Sequence, residues 1–190
     1  FIDYWKRHYW NRCILNNLKM KDIKLIYGSD TGKTEYVINT YLMSALEKKF
    51  NVEVINILNV SDDDWKSYDN YIIGVSTWWD GDLQSDWESY YDIFSNISFK
   101  NKKVAIFGLG DQIGYDEWYC DGLGILGSIV IENGGVLFGF TTKDSSYEFD
   151  TSKCIKEGDE MWGLALDEDN QQELTESRVI NWVNQISNEF

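Results

Sequence analysis

A single doubly wound α/β domain, with a parallel sheet covered by helices on both faces, is the fold class this sequence predicts. Three observations carry that prediction. Short apolar runs alternate with stretches of helical periodicity from about residue 20 onward. The length of 190 residues suits one domain with a sizeable core. No internal repeat or low-complexity linker divides the chain, and no apolar run approaches the roughly 20 residues that cross a bilayer.

The elements follow in order. Ile23, Leu25, Ile26 and Tyr27 make a first buried strand that breaks at Gly28. Residues 33–49 carry apolar positions at Val37, Ile38, Tyr41, Leu42, Ala45 and Leu46, which is helical spacing. VEVINI at 52–57 alternates as a strand, and Ser61 to Lys66 reads as a loop with a short helical turn. Tyr71 to Val75 is the next buried strand, ending at Ser76, and residues 84–94 are helical after a loop. Lys103 to Phe107 is a strand that runs into the long loop GLGDQIGYDEWYCD. Leu123 to Ile131 is a helix stopped by Gly134, and Val136 to Phe140 is a strand. Residues 141–162 read as polar and irregular before the strand resumes at LAL, 164–166. Thr175 to Ser187 closes the chain as a helix with Thr175 as its N-cap. Residues 1–19 are basic and aromatic, unlike the remainder, and lack both the apolar core of a signal peptide and the Ser-rich character of a transit peptide. They are expected to be an upstream extension outside the functional domain, which occupies 20–190; a short added helix is the alternative.

Composition narrows the function. A formal charge of −15 argues against nucleic acid and anionic membrane surfaces and favours basic partners, although it also serves solubility. Cys13, Cys120 and Cys154 are widely spaced with no C-x-x-C pair, so neither a disulfide framework nor a zinc site is expected, and a reducing compartment is the easier reading. His8 is the single histidine, so a His-based catalytic centre is hard to build. Nine Trp and twelve Tyr point instead to flat aromatic surfaces.

In a sheet of this class ligands sit beyond the carboxyl ends of the strands, where three loops stand out. The first, after Tyr27, holds Gly28 and the hydroxyls of Ser29, Thr31 and Thr34 at a helix start, which makes an anion site. An ordinary βα turn with a Thr cap would look much the same. Gly32-Lys33-Thr34 resembles the end of a Walker A motif, but Gly28 and Gly32 enclose three residues where that motif needs four. The second loop sets Trp78 and Trp79 beside Asp80 and Gly81, and the third holds Gly108, Gly110 and Gly114 with Asp111, Gln112 and Tyr115. An anion site at one end and aromatic planes at the other suit a flat heterocycle with a phosphate tail.

Four segments in order, YGSDTGKTE at 27–35, TWWDGDLQSDWE at 77–88, FGLGDQIGY at 107–115 and LALDEDNQ at 164–171, make the chain from Met20 to Phe190 resemble the flavodoxins of the long-chain type. The resemblance implies a flavodoxin-like five-stranded parallel sheet in the order 2-1-3-4-5, with the last strand split by an insertion at 141–163. It implies noncovalent FMN as the only cofactor, with no metal. Ser29, Asp30, Thr31, Gly32, Lys33 and Thr34 would hold the phosphate. Trp78 would lie on the inner face of the isoalloxazine and Tyr115 on the outer. Thr77 and Asp111 match positions along the ribityl chain and ring, and Ser76, Trp79, Asp80, Gly81, Leu109, Gly110 and Trp118 complete the expected cofactor-binding set. Ser76 departs from a frequent Pro, Trp118 from a frequent Asn, and the Trp usual after the first half of the fifth strand is missing from GFTTKD.

By the same resemblance the function is low-potential one-electron transfer between semiquinone and hydroquinone, by a carrier rather than an enzyme. Stacking and nearby acids would disfavour the anionic hydroquinone, and a turned peptide after Trp79 would favour the semiquinone. Implied partners are basic oxidoreductases such as ferredoxin–NADP reductase, and acceptors of the photosystem I or nitrogenase type. A cytoplasmic monomer is expected, or a protein of the plastid stroma in an alga, without membrane insertion. The alternatives are an NAD(P)H-dependent quinone reductase on the same fold, for which no second dinucleotide fingerprint is visible, and a non-redox FMN-binding module.

Overall fold

The computed structural model describes residues 20–190, so the expectation for 1–19 lies outside the described residues. Strand β1 (Lys21–Tyr27) feeds helix α1, which runs as Lys33–Val37, a π-helical turn Ile38–Leu42 and Met43–Leu46. Strand β2 (Phe50–Asn56), helix α2 (Asp62–Ser67) and strand β3 (Asn70–Trp78) follow. A two-residue strand β4 (Asp82–Leu83) folds back on the end of β3 and leads into α3 (Ser85–Phe94) and β5 (Lys103–Leu109). Helix α4 (Asp121–Glu132) precedes β6 (Val136–Phe138), and three short strands follow: β7 (Thr141–Thr142), β8 (Ile155–Glu157) and β9 (Glu160–Met161). Strand β10 (Leu164–Leu166) and helix α5 (Gln172–Ile186) complete the chain.

The main sheet is parallel in the order β2-β1-β3-β5, with β10 and β6 both beside β5. Strand β6 pairs with Lys103–Ala105 and β10 with Phe107–Leu109, so the two are halves of one outer strand. Counted as one, they give the expected order 2-1-3-4-5. The alternation of period two along each strand sorts its side chains to the two faces. Ile23, Leu25, Ile72 and Phe107 pack with Val37, Ile38 and Leu42 of α1 and Val179, Trp182 and Ile186 of α5. Ile73, Val75, Val104 and Ile106 pack on the other face with Trp65 of α2, Trp87 and Phe94 of α3 and Leu123 and Val130 of α4.

Three local expectations are corrected. The strand expected over 136–140 ends at Phe138. The insertion is not irregular throughout: β7, β9 and β8 form a small antiparallel sheet, and Tyr147, Phe149, Cys154 and Met161 of the insertion are buried. Two- and three-residue strands are too short to give a periodic signal. Helix α5 begins at Gln172, and Thr175 is no cap but a buried residue whose hydroxyl donates to Glu168. The turn in which Gln171 N–H donates to the Asp167 carbonyl at 3.1 Å starts the helix earlier than the apolar spacing suggests.

One buried charge also shapes the fold. Lys24 is 1 % exposed in the middle of β1 and pairs with Asp64 at 2.7 Å and with Glu53. Burial lowers the lysine's pKa, but hydrogen bonds and charge from the two carboxylates outweigh it and raise the value. Lys24 in turn holds Asp64 at about 2, helped by Ser61. A depressed carboxylate contributes stability above its unfolded pKa and loses it as pH falls toward the folded value. Asp64→Asn is therefore expected to cost about 2 kcal/mol at neutral pH. In urea unfolding, the gap between wild type and variant should close between pH 4 and pH 2. A gap independent of pH would refute the pairing.

Candidate functional site

A cleft of about 250 Å³ opens at the carboxyl ends of β1, β3, β5 and β10. Loop 28–32 and the start of α1 form one wall, bringing Ser29, Thr31, Lys33 and Thr34 to the cleft. Gly32 is the N-cap at φ 82, a left-handed conformation that a residue with a Cβ adopts at a cost. No side chain caps this helix, so its first-turn N–H groups are left for an anion. Asp30 is the exception on this wall. Its carboxylate turns away and accepts from Gln84 Nε2 at 2.6 Å and from the Ser85 hydroxyl, fastening the loop to the start of α3. Burial works to raise the Asp30 pKa, but hydrogen bonds from Ser85 and Gln84 outweigh it and hold the group below the ordinary carboxylate value.

The second wall carries Ser76, Thr77, Trp78 and Trp79. The Thr77 hydroxyl accepts from the N–H of Gly122 at 3.0 Å, which ties the end of β3 to α4. The chain then reverses in a tight turn, with Gly81 N–H donating to the Trp78 carbonyl at 3.2 Å. Trp79 stands at φ 45 and Gly81 at φ 95. A tryptophan in the left-handed region stores strain on the order of 1 kcal/mol or more, and such outliers cluster at ligand sites. Trp79 is 63 % exposed, with its ring 6.2 Å from that of Trp78.

The third wall carries Leu109, Gly110, Asp111, Tyr115 and Trp118. Asp111 Oδ1 accepts from the N–H groups of Ile113 at 3.0 Å and Gly114 at 2.7 Å, and from Asn170 Nδ2 at 2.8 Å. Burial raises its pKa, and these bonds together with the charge of Lys33 more than reverse that. The cleft thus gathers thirteen of the seventeen residues expected for a cofactor; Asp30, Gly32, Asp80 and Gly81 shape its loops without lining it.

Three lining residues were missed: Tyr119, Glu168 and Asp169. Asp169 pairs with Lys33 across the mouth of the cleft. An acidic run directly after a strand end, DED at 167–169, was the available signal for two of them. Tyr119 is fully buried, and its hydroxyl finds no partner among the described residues. Desolvation, foremost, pushes its pKa up. The donor set therefore has two ends. Hydroxyls, helix N–H groups and one lysine suit a phosphate, and Trp78, Tyr115 and Trp118 suit a planar ring.

Fold and cleft together define a doubly wound α/β protein with a nucleotide-type site at the carboxyl edge of its sheet. The family profile described as Flavodoxin matches residues 25–182, and the chain belongs to the flavodoxin family. It is 45 % identical over 167 residues to a flavodoxin of Synechocystis sp., covering 88 % of this chain and 96 % of that one. It is 37 % identical over 169 residues to flavodoxin 1 of Escherichia coli, covering 87 % and 93 %. A crystal structure of Fusobacterium nucleatum flavodoxin bound to flavin mononucleotide superposes with a TM-score of 0.83 at 31 % identity, covering 90 % of this chain and 99 % of that one.

Proposed function

We propose that the protein binds FMN noncovalently in this cleft and carries single electrons between oxidoreductases, without turning over a substrate of its own. The two-ended cleft is the observation that carries the reading. Bound FMN supplies the one-electron chemistry; the chain supplies binding, orientation and field.

Ser29, Thr31 and Thr34 donate hydroxyls to the phosphate, the first turn of α1 donates N–H groups, and Lys33 adds the positive charge. Trp78 and Tyr115 hold the ring between them, with Trp118 closing the apolar end, and Thr77 and Asp111 line the middle. The strained Trp79–Gly81 turn is the segment able to offer a peptide carbonyl to the ring edge. Asp111, Glu168 and Asp169 line the cleft of a protein with net charge −15. Added negative charge on a ligand there is disfavoured, which lowers the potential at which the last electron enters.

The same charge steers basic partners. Reductases of the ferredoxin–NADP type and acceptors of the photosystem I or nitrogenase type fit that description, and a cytoplasmic monomer, or one in the plastid stroma of an alga, is the corresponding setting. Among the described residues no helix is long and apolar enough to cross a membrane. Family membership favours the carrier over a quinone reductase.

The test is a relay. Apoprotein is titrated with FMN, following the loss of flavin fluorescence, and the loaded protein is then placed between NADPH with ferredoxin–NADP reductase and an excess of cytochrome c. One FMN per chain is expected, with cytochrome reduction that depends on both reductase and loaded protein. Reduction by NADPH without the reductase would replace the carrier by an enzyme. Trp78→Ala is expected to weaken FMN by about 2 kcal/mol, the worth of one stacked aromatic face, and an unchanged affinity would remove Trp78 from the site.

A further inference from the structure

The turn Asp167–Asn170, between β10 and α5, touches both ends of the cleft. On one side Asp169 pairs with Lys33, the only cation of segment 29–34. On the other, Asp167 Oδ2 accepts from the N–H of Gln112 at 3.1 Å, and Asn170 Nδ2 donates to Asp111 Oδ1 at 2.8 Å. Asp111 in turn fixes the N–H groups of Ile113 and Gly114, and its carbonyl accepts from Tyr115 N–H at 3.1 Å. Inside the turn, Asp167 Oδ1 accepts from the N–H groups of Asp169 and Asn170, both at 2.9 Å.

Asp167 has no solvent exposure and, among the described residues, no ion-pair partner. A carboxylate taken out of water at that cost stays only if its lone pairs are used, and here they are spent on the backbone of two loops. An unbroken chain of contacts therefore runs from Lys33 through Asp169, Asp167 and Asn170 to the loop that carries Tyr115.

We propose that the Asp167–Asn170 turn couples the phosphate end of the cleft to its ring end, with Asp169 as the positioning residue through which the coupling runs. The inference rests on the FMN reading above. A phosphate in loop 29–34 competes with Asp169 for Lys33. That competition shifts Asp169, whose backbone is bonded to Asp167, and Asp167 and Asn170 pass the shift to Gln112 and Asp111. By linkage the effect is mutual: a ring held by Tyr115 alters how strongly Lys33 serves the phosphate.

The test measures FMN dissociation constants by fluorescence for wild type, Lys33→Met, Tyr115→Leu and their combination, then for the same set carrying Asp169→Asn. All three side chains are largely exposed or at the cleft edge, and near-ultraviolet circular dichroism of each apoprotein checks that it is folded. In the wild-type background the combined loss should differ from the product of the single losses by about threefold or more, as for coupled sites. With Asp169→Asn it should equal the product within about twofold. A purely structural role for the turn would lower stability and leave the two losses multiplicative in both backgrounds, which would overturn the inference. Persistence of the threefold deviation in Asp169→Asn would overturn it as well. Failure of the wild-type protein to bind FMN at all would instead refute the cofactor reading, and the first titration separates the two.

Discussion

Replacing Thr31 and Thr34 together by alanine is expected to raise the FMN dissociation constant about a hundredfold or more while leaving the apoprotein folded. In the proposed site each hydroxyl would donate to a charged phosphate oxygen, and such a bond is worth about 1.5–3 kcal/mol. Both residues line the cleft. Thr34 is 1 % exposed, so removing its methyl as well as its hydroxyl disturbs the packing under α1. Thr34→Val keeps the shape and removes only the donor, so it separates affinity from packing. Riboflavin, which lacks the phosphate, should bind the double variant and the wild type about equally. An unchanged FMN affinity, or an equal loss for riboflavin, would move the phosphate elsewhere.

The second large effect falls on the fold. Gly163→Ala is expected to cost about 3 kcal/mol or more, because overpacking against backbone has no flexible side chain to yield. A Cβ at Gly163 would stand 2.0 Å from the Ile106 carbonyl oxygen of β5. Gly163 leads directly into β10, the half of the outer strand that carries the chain to Glu168 and Asp169 at the cleft. Loss of β10 pairing should therefore reduce both stability and FMN affinity. Urea unfolding of the apoprotein measures the first; a midpoint equal to wild type would mean that β10 does not lie against β5 as described.

The inner strands were legible because they are buried on both faces and read as apolar runs, as Ile72–Ile73 and Val104–Phe107 do, whereas the half-exposed edge strand β2 shows only alternation. The cleft was legible where function demands unusual residues at strand ends: clustered hydroxyls at 29–34, paired tryptophans at 78–79 and glycines around 110. Residues that act through tertiary contacts left little local trace. Asp30 looks like one more phosphate-loop residue, and only the fold brings Gln84 and Ser85 to it. Thr175 has the identity of an N-cap, yet burial against Glu168 decides its role. Tyr119 was hidden in an aromatic, acidic stretch whose spacing fits neither helix nor strand, and the β7-β9-β8 sheet is held by pairing across the insertion rather than by pattern.

The two-ended cleft is proposed to make a one-electron carrier, and an anaerobic reductive titration of the FMN-loaded protein puts that proposal to the proof. Absorbance followed against added reductant should show two separate one-electron steps, with a blue half-reduced form accumulating at the midpoint, and the second step should lie at the lower potential. Passage from yellow to colourless in a single two-electron step, with no blue form at any point, would contradict it.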